Sequence, residues 1–253
     1  MTYCLGIKVR EGLVCLSDGR ITSGTQVTNA HKISLHGPSG AQLCIMTSGL
    51  RSLRDKTLAY FDRAFREERP LGHKTMLEAV EDYCRYLRQV AEEDRAALQD
   101  SRLDFNLHSI VSGQMSEDPE PGLFLIYPEG NWIEVGERTP YLSIGATAYG
   151  KPILDRALSY DTSMRTALKL AYLSFDSTRT SSADVGFPLD LMTYAMADRC
   201  WRQTQYEQDE LREQRIWWNE NITKLATEMP DGPWTDSVLP DSPAAHLSIV
   251  RDS

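Results

Sequence analysis

The stretch MTYCLGIKV, residues 1–9, decides the reading of this chain. From Tyr3 onward apolar and polar positions alternate as in a strand, and EGLVCLSDG, residues 11–19, adds a turn and a second apolar run. A β-hairpin therefore opens the fold. Thr2 stands directly before its first strand. Removal of an initiator Met in front of a residue as small as Thr would leave a free α-amine beside a hydroxyl. Thr2 is thus a candidate nucleophile carrying its own base.

Working outward, RITSGTQVTNA, residues 20–30, reads as a loop, and HKISLHG, 31–37, and AQLCIMTSG, 41–49, read as two short strands around a PSG turn. Four strands then precede any helix. Leu50, Leu53, Leu58, Phe61 and Phe65 recur at helical spacing, as do Met76, Leu77, Val80, Cys84, Leu87, Val90 and Ala91, and ERPLG separates the two helices. Strand patterns return in FNLHSIVSGQM, GLFLIYPEG, NWIEVGE and PYLSIG, with Glu129 and Gly130 as a hairpin turn. YGKPILDRALSY and TSMRTALKLAYLSFDS read as a second helix pair, with Thr162 or Ser163 as N-cap of the latter, before the strand-like VGFPLDLMTYA. Residues 202–229 read as a charged helix and 230–243 as an irregular or extended segment. Blocks of strands separated by helix pairs do not fit a parallel βαβ sheet. They fit an α+β fold with two antiparallel sheets sandwiched between helical layers.

Composition narrows the function. The chain has 253 residues, 41% of them hydrophobic, enough for a sizeable core in one domain. A net charge of −9 argues against nucleic acid as a partner, since phosphate binding needs clustered Lys and Arg. No apolar run approaches the roughly 18 residues of a membrane span, and the N-terminus lacks a signal-peptide form, so a cytoplasmic protein with no membrane partner is expected. Cys4, Cys15, Cys44, Cys84 and Cys200 show no metal-ligand spacing and read as reduced core residues. His31, His36, His73, His108 and His246 form no metal pair on a helix face.

An N-terminal nucleophile needs a cation near its amine and N–H donors for the oxyanion. A free α-amine titrates at about 7.7 to 8.0, so a neighbouring lysine has only to shift it slightly for general-base work. Lys32 is the candidate cation, Asp18 the carboxylate that holds it, and Gly49, before the first helix, a candidate backbone donor. Taken singly, Asp18 is a turn residue in SDG and Lys32 a solvated loop lysine. Only their order behind a removable Met, on a matching strand pattern, makes them a site.

These residues also carry a resemblance. TYCLGIK, LVCLSDGRITSG, HKIS, IMTSGLRSLRD and IGATAYGKPILDRAL resemble a proteasome-type β-subunit over about residues 2–200, and within that superfamily the bacterial Anbu branch. The resemblance implies the four-layer αββα sandwich of N-terminal-nucleophile hydrolases, with residues 2–200 as the domain and 201–253 as a charged helix and irregular tail. It places Thr2 on the nucleophile, Asp18 and Arg20 on the Asp-x-Arg pair, Lys32 on the lysine and Gly49 on the oxyanion glycine. The family's supporting serine falls on Ala146 in the most natural register and on Ser143 in a shifted one. A later supporting aspartate falls on Asp184, where the following Ser-Gly step is replaced by Val185-Gly186-Phe187. Arg51 would neighbour the substrate side chain. The same resemblance implies a threonine peptidase requiring no cofactor, acting on peptides or unfolded proteins and self-associating as a ring or open spiral. The alternative is an assembly or binding protein that keeps the fold with little turnover. Cys4 is set aside as a core residue, and Trp201, Trp217 and Trp218 fall in the charged tail as packing or subunit-contact residues.

Overall fold

The computed structural model describes residues 2–23, 26–67 and 71–236. They form two units, one ending at Glu210 and one beginning at Leu211.

The first unit begins with the expected hairpin, β1 (Tyr3–Val9) and β2 (Gly12–Asp18). Next comes a second hairpin, β3 (Arg20–Ser23) with β4 (Gln26–Asn29), where the sequence pattern suggests a loop. Six strands, not four, precede the helices, the last two being β5 (Ile33–His36) and β6 (Leu43–Gly49). The helix pair α1 (Arg51–Glu67) and α2 (Met76–Asp100) comes after them. Thr75 caps α2, its side chain accepting from the Glu78 N–H. Part of the ERPLG break, residues 68–70, lies outside the described residues. Then come β7 (Leu107–Gly113), β8 (Gly122–Ile126), β9 (Trp132–Glu134) and β10 (Tyr141–Gly145). The second helix pair is α3 (Lys151–Ala157) and α4 (Met164–Ser181), and of the two proposed caps of α4 it is Ser163 that accepts from the Thr166 N–H.

The unit ends in β11 (Leu189–Ala195) and β12 (Cys200–Tyr206). Here the sequence reading is corrected. Residues 202–206, expected to begin the charged helix, pair antiparallel with β11, so Trp201 lies on a strand, its indole N–H donating to the Gln42 carbonyl. The helix starts later, in the second unit, as α5 (Arg212–Glu228), followed by the short α6 (Pro233–Asp236). Ile216, Trp217, Ile222 and Leu225 of α5 are exposed.

Two five-stranded antiparallel sheets, ordered β10-β1-β2-β11-β12 and β5-β6-β7-β8-β9, form the middle layers. Side chains alternate between faces along each strand, and the clusters they join reveal the layering. Cys4, Cys15, Met46, Ile110, Leu123 and Met192 meet between the sheets. Leu43, Ile45, Val111, Phe124 and Ile126 point the other way and pack on Phe61, Val80 and Leu87 of α1 and α2. On the far side Tyr3 reaches α4, its hydroxyl hydrogen-bonded to Ser174 Oγ. The result is a four-layer αββα sandwich. Every residue of β1 and β2 is buried, as required of strands covered on both faces. Cys4, Cys15, Cys44 and Cys84 are buried as expected, whereas Cys200 is exposed on β12. Among the described residues no helix is long and apolar enough to cross a membrane.

Candidate active site

Strand pairing brings Thr2, Asp18 and the end of β10 together. Tyr3 at the start of β1 is paired with Gly145 at the end of β10, and Cys4 with Ser17 near the end of β2. Thr2, Ser48, Asn106, Ser143 and Thr147 line a common cavity of about 390 Å³. Thr2 is buried to 9% exposure, on the wall of that cavity.

Backbone geometry pins Thr2. Its carbonyl accepts from the Ala146 N–H at 2.7 Å. Gly145 has φ +87°, and a Cβ there would stand 1.8 Å from the Thr2 oxygen, so only glycine permits this approach. The stretch Ser143–Ala146 thus holds Thr2 through main-chain contacts, while Ser143 faces the cavity and Ala146 contributes its N–H. Gly49 closes β6 with φ +141°, where a Cβ would meet the Asn106 carbonyl oxygen at 2.0 Å. Its position at the entry to α1 is forced by this close crossing.

Asp18 is the hub. Its carboxylate is fully buried; Oδ1 accepts from the Tyr3 N–H at 2.9 Å and from Lys32 Nζ at 2.7 Å, and Oδ2 from the Gly186 N–H at 3.4 Å. Lys32, 6% exposed, makes a second bond to the Arg20 carbonyl at 2.5 Å. Burial pushes the Asp18 carboxyl above its ordinary value, and the Lys32 ammonium and the two N–H donors pull it back. The Arg20 side chain donates to the Ala183 carbonyl at 2.9 Å, so Arg20 ties the turn containing Asp184 to the start of β3. Asp184 itself is half-buried in that turn. Arg51 is exposed and pairs with Asp55 at 3.3 Å. Cys4 is fully buried, its thiol pushed up by burial, and its Sγ–H donates to the Thr47 carbonyl.

A second buried carboxylate escaped the sequence reading. Asp190 on β11, register partner of Ser17, is fully buried and accepts from Gln205 Nε2 at 2.8 Å, with His31 Nδ1 at 3.2 Å. The signal was one charged residue inside the apolar run PLDLMTYA.

A buried threonine just ahead of the first strand, next to a lysine–aspartate pair in an αββα sandwich, defines the fold class of the N-terminal-nucleophile proteins. The chain belongs to the proteasome subunit family, whose sequence model matches residues 2–193. Within it the likeness runs to Anbu. Anbu, an ancestral β-subunit, from Yersinia bercovieri is 30% identical with TM-score 0.83, over 91% of this chain and 98% of that one. The helical assembly of the Anbu complex from Pseudomonas aeruginosa gives 29% identity and TM-score 0.85 over 92% and 99%. A Gly-1 mutant of Anbu from Hyphomicrobium sp. strain MC1 gives 27% and 0.83 over 92% and 99%. No curated protein matches the sequence.

Proposed function

We propose that this chain is an N-terminal threonine amidohydrolase, a proteasome-like peptidase that cleaves peptides or unfolded proteins in the cytoplasm through a Thr2 acyl-enzyme. The observation that carries this reading is the single oxygen, Asp18 Oδ1, shared by the Tyr3 N–H and the Lys32 ammonium. It brings the buried cation within two hydrogen-bond lengths of the residue next to Thr2.

Once Met1 is removed, the Thr2 α-amine takes the proton from its own hydroxyl, and Oγ1 attacks the scissile carbonyl. Lys32 disfavours protonation of the amine and stabilises developing negative charge; two of its three N–H donors are spent on Asp18 and Arg20, which leaves one for the reacting group. The Gly49 N–H serves the oxyanion. The amine hands its proton to the leaving nitrogen, the C–N bond breaks, and water then hydrolyses the ester with the amine again as base. Asp18 holds Lys32, while Arg20 and Asp184 support the surrounding turn. The catalytic domain, expected over residues 2–200, is read as running on through β12 to Glu210, and the residues from Leu211 as tail, with the exposed apolar residues of α5 suited to self-association into a ring or open spiral. That Anbu of Pseudomonas aeruginosa forms a helical assembly supports self-association.

Intact mass of the purified protein is expected to begin at Thr2, and Thr2→Ala is expected to lower peptide turnover by about a thousandfold or more. Unchanged turnover in Thr2→Ala would refute the reading.

A further inference from the structure

A second constellation lies on β5, and the threonine chemistry does not use it. Ser34 and His36 are two residues apart on one strand, so their side chains leave the same face. Their register partners Ile45 and Leu43 belong to the cluster under α1 and α2, which fixes that face as the one turned toward the helices. Ser34 Oγ lies 2.7 Å from His36 Nε2, and His36 Nδ1 lies 2.7 Å from Asp62 Oδ1 on α1. A carboxylate only accepts, so Nδ1 carries the imidazole proton and Nε2 is left to accept from the Ser34 hydroxyl. Serine, imidazole and carboxylate stand in the order and at the separations of a hydrolase triad, which is recognised by geometry and not by chain order. The His36 ring is 7% exposed, packed near Phe61, and so held in one orientation. Ser34, by contrast, opens on a cavity of about 150 Å³ that it shares with Lys32, Thr47, Arg54 and Leu58.

We propose that Ser34 is a second nucleophile, activated by His36 and Asp62, which accepts a short acyl or phosphoryl group from small activated esters. Ser34 Oγ forms the new bond to the carbonyl carbon or phosphorus while its proton passes to His36 Nε2. The bond to the leaving group breaks, and the departing oxygen or fluoride takes that proton from the imidazolium, which Asp62 has stabilised meanwhile. For a carboxylic ester, water then attacks the Ser34 adduct, gives a proton to Nε2, and the proton returns to Oγ as the acid departs. Arg54 on the same cavity wall pairs with Asp55 and keeps further N–H donors, one of which serves the developing oxyanion, while Lys32 stays committed to Asp18 and Arg20. The small volume admits short esters and excludes a folded peptide chain.

The test is run in full-length Thr2→Ala protein, so that the amino-terminal hydroxyl cannot contribute. Diisopropyl fluorophosphate is added and the digest is mapped by mass spectrometry. The expected result is one phosphoryl adduct on the peptide containing Ser34, absent after Ser34→Ala and formed about a hundredfold or more slowly after His36→Gln. Because His36→Gln can disturb packing, Ser34→Cys with His36 intact supplies a second readout. Its new thiol should be alkylated by iodoacetamide faster than the exposed Cys200. No adduct, an adduct elsewhere, labelling of Ser34 indifferent to His36→Gln, or alkylation no faster than at Cys200 would each overturn the proposal.

Discussion

Asp18 and Asp190 lie on neighbouring strands, β2 and β11, both with no exposed surface, and each is met by one of two consecutive residues, Lys32 and His31. The likeness ends there. Asp18 faces a lysine whose side chain is 5% exposed, and it adds two backbone N–H bonds, so the carboxylate is fully enclosed. Asp190 faces a histidine whose side chain is 63% exposed, with a glutamine amide completing the shell. On the proposed mechanism the field of Lys32 acts on the Thr2 amine, and enclosing Lys32 with its carboxylate keeps water from screening that field. The pair proposed to serve chemistry is the more enclosed of the two, and the pair that ties β4 and β5 to β11 is left wet on one side.

The largest expected effect tests that asymmetry. Lys32→Met strands a buried carboxylate, so it should lower folding stability by about 3–5 kcal/mol in urea unfolding and peptide turnover by about a hundredfold or more. Equal losses from His31→Gln would erase the distinction between the pairs. Gly145→Ala comes next: a Cβ 1.8 Å from the Thr2 oxygen at φ +87° must displace Thr2. Turnover should fall about a hundredfold with a stability loss of about 1–3 kcal/mol; wild-type turnover would show that the Thr2 position is not held by this turn. His31→Gln itself should cost no more than about 1 kcal/mol, since the His31 side chain is mostly exposed and the Gln205 amide still holds Asp190, and leave peptide turnover within about twofold by the same reasoning.

The smallest effect is a pH dependence. Asp18 has a folded-state pKa above its ordinary 3.8, chiefly through burial, so the folded chain keeps that proton to higher pH than the unfolded chain. Its contribution to stability is complete below 3.8 and is lost as pH rises through the folded value. The wild-type unfolding free energy, measured against Asp18→Asn, should therefore fall as pH rises across that window. In Lys32→Met, which lacks the cation opposing the shift, the window should move upward. A difference that does not change with pH would mean that Asp18 does not titrate as its burial requires.

Legibility in the sequence depended on where each signal resides. The β1–β2 hairpin, both helix pairs and the order Thr2, Asp18, Lys32, Gly49 stood out because apolar periodicity and a short motif lie along the chain. Hairpin β3–β4 was hidden because RITS and QVTN carry little apolar alternation. Strand β12 was hidden because CWRQTQY is a polar edge strand whose pairing comes from β11, not from its own pattern. The role of Gly145 and Ala146 was beyond the sequence for a different reason: a main-chain N–H and a missing Cβ support Thr2, and neither has a side chain to read. Ser34, His36 and Asp62 likewise form a group only when α1 is laid across β5.

On the proposed mechanism Thr2 is the nucleophile and its own free amine is the base. A peptide epoxyketone tests both groups at once, because its ketone captures a hydroxyl and its epoxide is opened by an amine on the same residue, closing a ring. The predicted result is a single stable adduct on the amino-terminal peptide beginning at Thr2, lost in Thr2→Ala and strongly slowed in Lys32→Met. An adduct at any other residue, or peptide turnover by a chain that still carries Met1 and takes no adduct, would contradict it.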